Sequence, residues 1–334
     1  MQFSVDFSSN LTWMLRENTA LSSFWNHYYC NYDYRLIELL LYSGIDPMYF
    51  REDHHLGCCA PTQLILEHLV KNQIKVNDPL YFYIFLAFLN AEILFVKNYI
   101  PQNSNEERLT GHLISEIANS LNIVKGEFIK KSYEVYKCSL DLEFCYSDLS
   151  TNNAERVNGS DFGFIFHINL PNQPERVKAI IIQAKRLDKK TVIDLNQMRN
   201  LNLYAKDLAF YCFYDLNSIE RLPPLILSQN MLKNYINKEE DINQLSYSIK
   251  REIITKYNHS LPLSLFIPYF LFKYSDTSLR LFKTVWEAKN YLESDNRNHS
   301  LTRVLSVSLG GLTKNQDLTD ISQLFKNSNK KFED

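Results

Sequence analysis

The chain has 334 residues, a formal net charge of −2, 45% hydrophobic and 22% charged residues. That is enough apolar matter for a filled core and too little positive charge for a polycation, so any nucleic-acid contact has to come from a local basic patch. Tyr and Phe number 21 each against 8 Gly, which speaks against a glycine-rich dinucleotide-binding architecture and against an all-β chain of tight turns.

In chain order, residues 1–100 read as mostly helical and irregular. The opening stretch MQFSVDFSSNLTWMLREN lacks a basic segment followed by an apolar run, so no secretory signal is expected. The six cysteines at 30, 58, 59, 138, 145 and 212 are scattered and read as free thiols in a reducing cytoplasm. YRLIELLLYSG (34–44) ends at a glycine stop, and APTQLILEHLVKNQ (60–73) opens on a proline suited to a first helical turn. In HHLGCC, His54, His55, Cys58 and Cys59 crowd together, but adjacent pairs wrap a tetrahedral zinc poorly, and the cluster reads as a helix start with buried thiols. LYFYIFLAFLNAEILFVKNYI (80–100) is long enough to span a bilayer, yet Asn90 and Glu92 fall near its middle. A helix buried in a globular core is therefore expected, with a membrane span as the alternative. The polar break PQNSNEE (101–107) is the expected boundary, leaving a helical N-terminal region over 1–104.

Beyond it, Leu109, Leu113, Ile117 and Leu121 recur every fourth residue with Ile114 alongside, an amphipathic helix over 106–122. Residues 132–148 alternate in parts and suggest one or two strands. DFGFIFHINL (161–170) alternates cleanly, PNQPE (171–175) is a turn, and VKAIIIQAK (177–185) reads as a strand buried on both faces. A helix over 192–206 and a strand over 208–215 follow. Residues 244–257 and 278–295 look helical, the apolar run 261–273 reads as a strand with a buried turn, and 296–334 as a polar C-terminal segment. The expected fold class is α/β, a mixed sheet flanked by helices over 105–295, with its core at 105–215.

Side chains two apart on a strand share a face, so Gln183 and Lys185 project together from the end of their strand. Asp161 opens the preceding strand of the expected hairpin and so lies beside them. An acid, an amide oxygen and an ammonium at one sheet corner suit metal-assisted phosphodiester hydrolysis. Mg²⁺ takes hard oxygen ligands and keeps several waters, it lowers the pKa of a bound water, and the lysine serves that water or the developing charge. Lys185, Arg186, Lys189, Lys190 and Arg199 form a basic rim, read as phosphate contacts against the bland alternative of a solvated face.

Asp161 followed by Gln183-Ala184-Lys185 at the end of a hydrophobic strand resembles the PD-(D/E)XK nuclease superfamily, the restriction-endonuclease-like fold, in its Q-x-K form. GSDFGFIF resembles the family's metal-aspartate strand, IIIQAKRLD its catalytic strand, DLNQMRNL with YAKDLAFYCFYD the helix and strand that follow, and EERLTGHLISEI the first core helix. The resemblance covers about residues 105–215 and implies a Mg²⁺- or Mn²⁺-dependent nuclease, with DNA rather than RNA as the expected substrate. It implies metal ligation by Asp161, Gln183 and a helical glutamate, and a polar site position at Gln197. Glu106 lies near the centre of the helix's apolar face and Glu107 toward its edge; Glu106 is preferred, Glu107 comes close behind, and Glu116 lies on the other flank. Two departures stand out: Gln183 replaces an acid, which removes one negative charge and weakens metal affinity, and Ser160 rather than proline precedes Asp161. The resemblance further suggests a cytoplasmic bacterial anti-phage defence effector, with residues 1–100 sensing a phage-encoded trigger protein. The alternatives are a catalytically inactive nuclease-fold binding module and a membrane-associated protein held by residues 80–100.

Overall fold

A computed structural model describes residues 79–148, 161–171, 174–188, 190–205, 208–216, 222–236, 245–255, 260–273, 281–293 and 303–310. The helices expected at 34–44 and 60–73, the His54–Cys59 cluster and the first 78 of the residues 1–100 expected to sense a trigger lie outside the described residues.

Helix α1 (Pro79–Asn98) starts on its proline and is apolar on every side, the pattern of a helix buried all round. It is the one described helix long and apolar enough to cross a membrane, and 72% of that window is buried inside the protein. Its two awkward residues are satisfied internally. Asn90 Nδ2 donates to Ser120 Oγ at 2.9 Å. Glu92 accepts from the backbone N–H of Ser264 at 2.8 Å, in the first turn of a later helix, where a carboxylate meets the positive end of the dipole.

A short 3₁₀ turn (Ile100–Gln102) and left-handed Asn103 (φ 49) reverse the chain. Asn105 then caps α2 (Glu106–Tyr136), its side chain accepting from the N–H of Arg108 at 3.0 Å. The break at 101–107 is thus a turn between two helices packed on each other. α1 shares one hydrophobic core with the sheet: Phe88 meets Phe164 edge-on at 5.9 Å and Phe95 meets Tyr214 at 5.3 Å. α2 runs past the expected end at 122, because Val124, Phe128 and Ser132 continue its buried stripe. The apparent alternation at 132–136 is helical, with Tyr133 and Val135 on the outer face. Lys137 (φ 58) closes the helix in the left-handed conformation.

The remaining elements are β1 (Leu142–Asp148), β2 (Phe162–Ile168), β3 (Arg176–Leu187), β4 (Lys190–Asp194), α3 (Leu195–Ala205), β5 (Ala209–Asp215), β6 (Leu225–Ser228), α4 (Gln229–Ile236), β7 (Ser246–Lys250), α5 (Arg251–Ile254), β8 (Leu261–Pro262), α6 (Leu263–Lys273), α7 (Val285–Glu293) and β9 (Arg303–Leu309). Seven strands form one mixed sheet in the order β1-β9-β2-β3-β5-β6-β8, and β4 pairs with β7 separately. β2 and β3 are antiparallel, β3 and β5 parallel, β9 parallel to β2 and antiparallel to β1. β2, β5 and β9 are buried along their whole length, so helices flank the sheet, as its fold class requires. Aromatic rings join α6 to the same face that receives α1, Phe270 against Phe166 and Phe266 against Phe210.

Four further expectations are corrected. The C-terminal segment 296–334 is not merely polar: Arg303–Leu309 is a buried strand inserted between β1 and β2. Its serines at alternate positions lower its apparent hydrophobicity, but Ser308 Oγ is hydrogen-bonded to buried His167 Nδ1 at 2.9 Å. Residues 261–273 form a two-residue strand and then helix α6, since a short continuous apolar run does not separate strand from buried helix. Residues 246–250 are a strand followed by a single helical turn. The 192–206 helix begins only at Leu195, after β4. β9 ends on Gly310 (φ 100), where a Cβ would stand 1.8 Å from the carbonyl oxygen of Asn169, so no other residue fits.

The buried Glu92 carries a prediction. Burial pushes its carboxyl up to about 8, the Ser264 hydrogen bonds opposing. Between the ordinary value of 4.5 and about 8 the folded state holds a proton that the unfolded state has lost. The stabilisation is therefore complete below about 4.5 and lost as pH rises through about 8, of the order of a few kcal/mol. Urea midpoints are expected to fall across that window, and Glu92→Gln to remove most of the slope.

A candidate metal centre at the ends of β2 and β3

β3 is buried through Ala184 and emerges at Lys185 and Arg186. Its antiparallel register places Phe162 opposite Ile182, and the N–H of Asp161, just ahead of β2, donates to the carbonyl of Ile182 at 3.0 Å. Asp161 therefore sits beside Gln183. Its Oδ2 accepts from Gln183 Nε2 and from the N–H of Ala184, both at 2.6 Å. Gln183 Nε2 also donates to the carbonyl of Ala184 at 3.2 Å. With both acceptors on the nitrogen side, the amide orientation is fixed, and Oε1 is left buried without a hydrogen-bond partner among the described residues.

α2 begins against this corner. Glu106 Oε1 lies 3.4 Å from Lys185 Nζ, and Oε2 accepts from the N–H of Arg186 at 2.9 Å. Thr110 holds that first turn in place: its Oγ1 donates to the carbonyl of Glu106 and is hydrogen-bonded to the Tyr214 hydroxyl, each at 3.0 Å. Glu107 is turned away: Arg303 of β9 takes its carbonyl at 3.2 Å and its Oε1 at 3.3 Å, and its side chain is 74% exposed. Glu116 is engaged elsewhere, accepting from the Tyr99 hydroxyl at 2.8 Å. Of the three glutamates weighed on α2, Glu106 is the one at the corner. The charges of Asp161 and Glu106 both reinforce the upward push that burial gives the Cys212 thiol and the Tyr214 hydroxyl, so the two carboxylates act on the same pair of β5 side chains.

Asp161, Glu106 and Gln183 offer hard oxygen donors from three elements, a set suited to Mg²⁺ or Mn²⁺ with waters completing the sphere. Among the described residues no three His, Cys, Asp or Glu side chains gather, and the amide of Gln183 has to supply the third donor. Its orphaned Oε1 is an acceptor placed for a cation or its water. The group fits such an ion.

The peripheral residues divide. Arg186 donates through Nη2 to Asn103 Oδ1 at 2.8 Å, beside Glu106. Arg199 is exposed and bonded to Asn196 Oδ1 at 3.3 Å. Gln197 is half-buried in the first turn of α3, and the hydrogen bond it makes runs from its backbone N–H to Asp194 Oδ1 at 3.1 Å, not to the corner. Lys189 lies outside the described residues, and Lys190 is placed as the first residue of β4. Three residues at the corner escaped sequence reasoning. Tyr211 is the register partner of Gln183, and burial, with the charges of Asp194 and Asp161, pushes its hydroxyl upward. Asp194 caps α3, accepting from the N–H of Asn196 at 2.7 Å, a helix-start signal that was readable in the sequence. Arg303 comes from the unforeseen strand.

No family model matches the chain, and neither a curated protein nor a solved structure is significantly similar to it.

Proposed function

We propose that the protein is a divalent-metal-dependent nuclease that hydrolyses phosphodiester bonds, with DNA preferred over RNA. The observation that carries this reading is the meeting of Asp161, Gln183, Lys185 and Glu106, from three separate elements, at one end of the sheet. With β4 set aside, since it pairs with β7 outside the main sheet, the order α2-β1-β2-β3-α3-β5 supports the restriction-endonuclease-like reading that the sequence motif suggests.

Asp161, Glu106 and Gln183 Oε1 would hold the ion. A bound Mg²⁺ or Mn²⁺ supplies Lewis acidity and lowers the pKa of a water. Lys185, whose ammonium now faces Glu106, positions the attacking water or meets charge on the phosphate. Arg186 and Arg199, with Lys189 and Lys190 beside them in sequence, supply phosphate contacts that fix the backbone without reading bases. A cytoplasmic anti-phage effector, in which residues 1–100 sense a phage-encoded trigger and restrain the nuclease until it arrives, is the role that this reading suggests.

The test is incubation of the purified protein with plasmid DNA and with RNA in Mg²⁺, Mn²⁺ or EDTA. Metal-dependent cleavage that favours DNA is the expected outcome. Preference for RNA would revise the substrate, and cleavage that survives EDTA would remove the metal.

A second reading has its own observation. Asp161 and Glu106 are already hydrogen-bonded, and Gln183 brings no charge, as in a nuclease fold kept as a binding module. Such a module would bind Mn²⁺ negligibly, which a titration separates from the first reading.

A further inference from the structure

Two polar atoms on neighbouring strands are buried without a hydrogen-bond partner among the described residues: Gln183 Oε1 on β3 and the Tyr211 hydroxyl on β5. Both residues are fully buried. They are register partners of a parallel pair, so their side chains rise side by side from the same sheet face. Native proteins seldom leave one buried polar atom without a partner, and two on adjacent positions call for a shared one. Chemistry narrows what it is. An amide oxygen only accepts, whereas a phenol both donates and accepts. A bare cation satisfies the amide oxygen and leaves the phenol proton unbonded. A lone water satisfies both, and so does a hydrated cation, with the ion at Gln183 Oε1 and one of its waters at Tyr211; the carboxylate of Asp161 beside Gln183 favours the cation. The ring is also fixed for such a task, stacked on Phe213 with centroids 6.0 Å apart and planes 19° apart.

We propose that Tyr211 is a positioning residue of the metal centre, its hydroxyl holding a water on the ion bound by Asp161 and Gln183. The inference rests on the metal-dependent reading above. The tyrosine touches neither the phosphate nor the ion. It orients the water by a hydrogen bond from outside the ligand sphere, and such outer partners carry much of a metal site's affinity.

The experiment uses the full chain, its Tyr211→Phe variant and Asp161→Asn as the ligand control. It measures Mn²⁺ binding by the electron-paramagnetic signal of the free ion and the melting temperature without metal. Wild type is expected to bind Mn²⁺ and Asp161→Asn to lose it. Tyr211→Phe is expected to bind about tenfold more weakly while melting, without metal, no lower than wild type, because the deleted hydroxyl had no protein partner. A merely structural tyrosine hydroxyl gives the opposite pair, a lower melting temperature and unchanged affinity, and that result overturns the proposal. Equal Mn²⁺ affinity in wild type and Tyr211→Phe overturns it while leaving the metal centre standing. A wild type indifferent to Mn²⁺ overturns the metal centre itself, and the role of Tyr211 with it.

Discussion

Lys185→Ala is expected to lower metal-dependent cleavage by about 10²–10³-fold while leaving the fold intact. The two halves of that expectation come from different parts of the geometry. The ammonium faces Glu106 at the corner, where charge would develop on a phosphate. Its removal therefore takes away an interaction specific to the reacting state. Its contribution to folding is small: the contact with Glu106 is long at 3.4 Å, and both side chains keep some access to water, 13% and 28%. Pairs of that kind contribute about 0–1 kcal/mol. Glu106 also retains the N–H of Arg186 as a donor in the variant. Plasmid cleavage rates and a thermal melt on the same preparations check both halves. Wild-type rates in the variant would return Lys185 to the solvated loop that "KRLDKK" otherwise suggests.

Asp215→Ala is expected to destabilise the fold by about 3–5 kcal/mol, the cost of breaking an ion pair whose acid is fully buried. Asp215 ends β5, is fully buried, and receives Arg251 Nε at 2.9 Å and Nη2 at 2.6 Å in a two-pronged contact. The pair fastens the β7–α5 turn to the end of the sheet, and β7 in turn carries β4 and the cap of α3. Asp215→Ala leaves the guanidinium facing an emptied acceptor site. Asp215→Asn keeps an acceptor and loses the charge, so a smaller loss is expected. Replacing both partners by apolar residues of similar volume is expected to recover much of the stability. Urea denaturation of the three variants orders them, and a loss below about 1 kcal/mol for Asp215→Ala would mean that Arg251 finds another acceptor.

The parts of the fold legible in the sequence are those whose pattern is local. β2, β3 and β5 announce themselves by alternation or by an apolar run, and α1 and the first half of α2 by length and helical period. The neighbourhood of Asp161, Gln183 and Lys185 follows from two local facts, the period of a strand and the adjacency of a hairpin. What the sequence conceals depends on partners far away. β9 pairs with β1 and β2 across more than a hundred residues, and its serines look solvent-facing until His167 is seen opposite Ser308. The choice between Glu106 and Glu107 is equally remote. A helical wheel puts both near the right face, and Arg303, on that same concealed strand, draws Glu107 aside. Tyr211 becomes a neighbour of Gln183 only through the register of a parallel pair, which nothing in "AFYCFYD" specifies.

The position of β9 bears on when the protein can be finished during synthesis. A strand added at a sheet edge can arrive late without consequence, but this one belongs between β1 and β2, both made more than a hundred residues earlier. Until residue 309 has left the ribosome, two strands wait with unpaired edges across a missing neighbour, a long-range closure of the slow kind. The start of α2 waits as well, because Arg303 supplies the clamp on Glu107 that sets Glu106 toward the corner. A chain broken off by interrupted translation thus lacks both an interior strand of its sheet and the anchor of its chemical corner, and whatever this corner does is reserved for molecules whose translation has passed that strand.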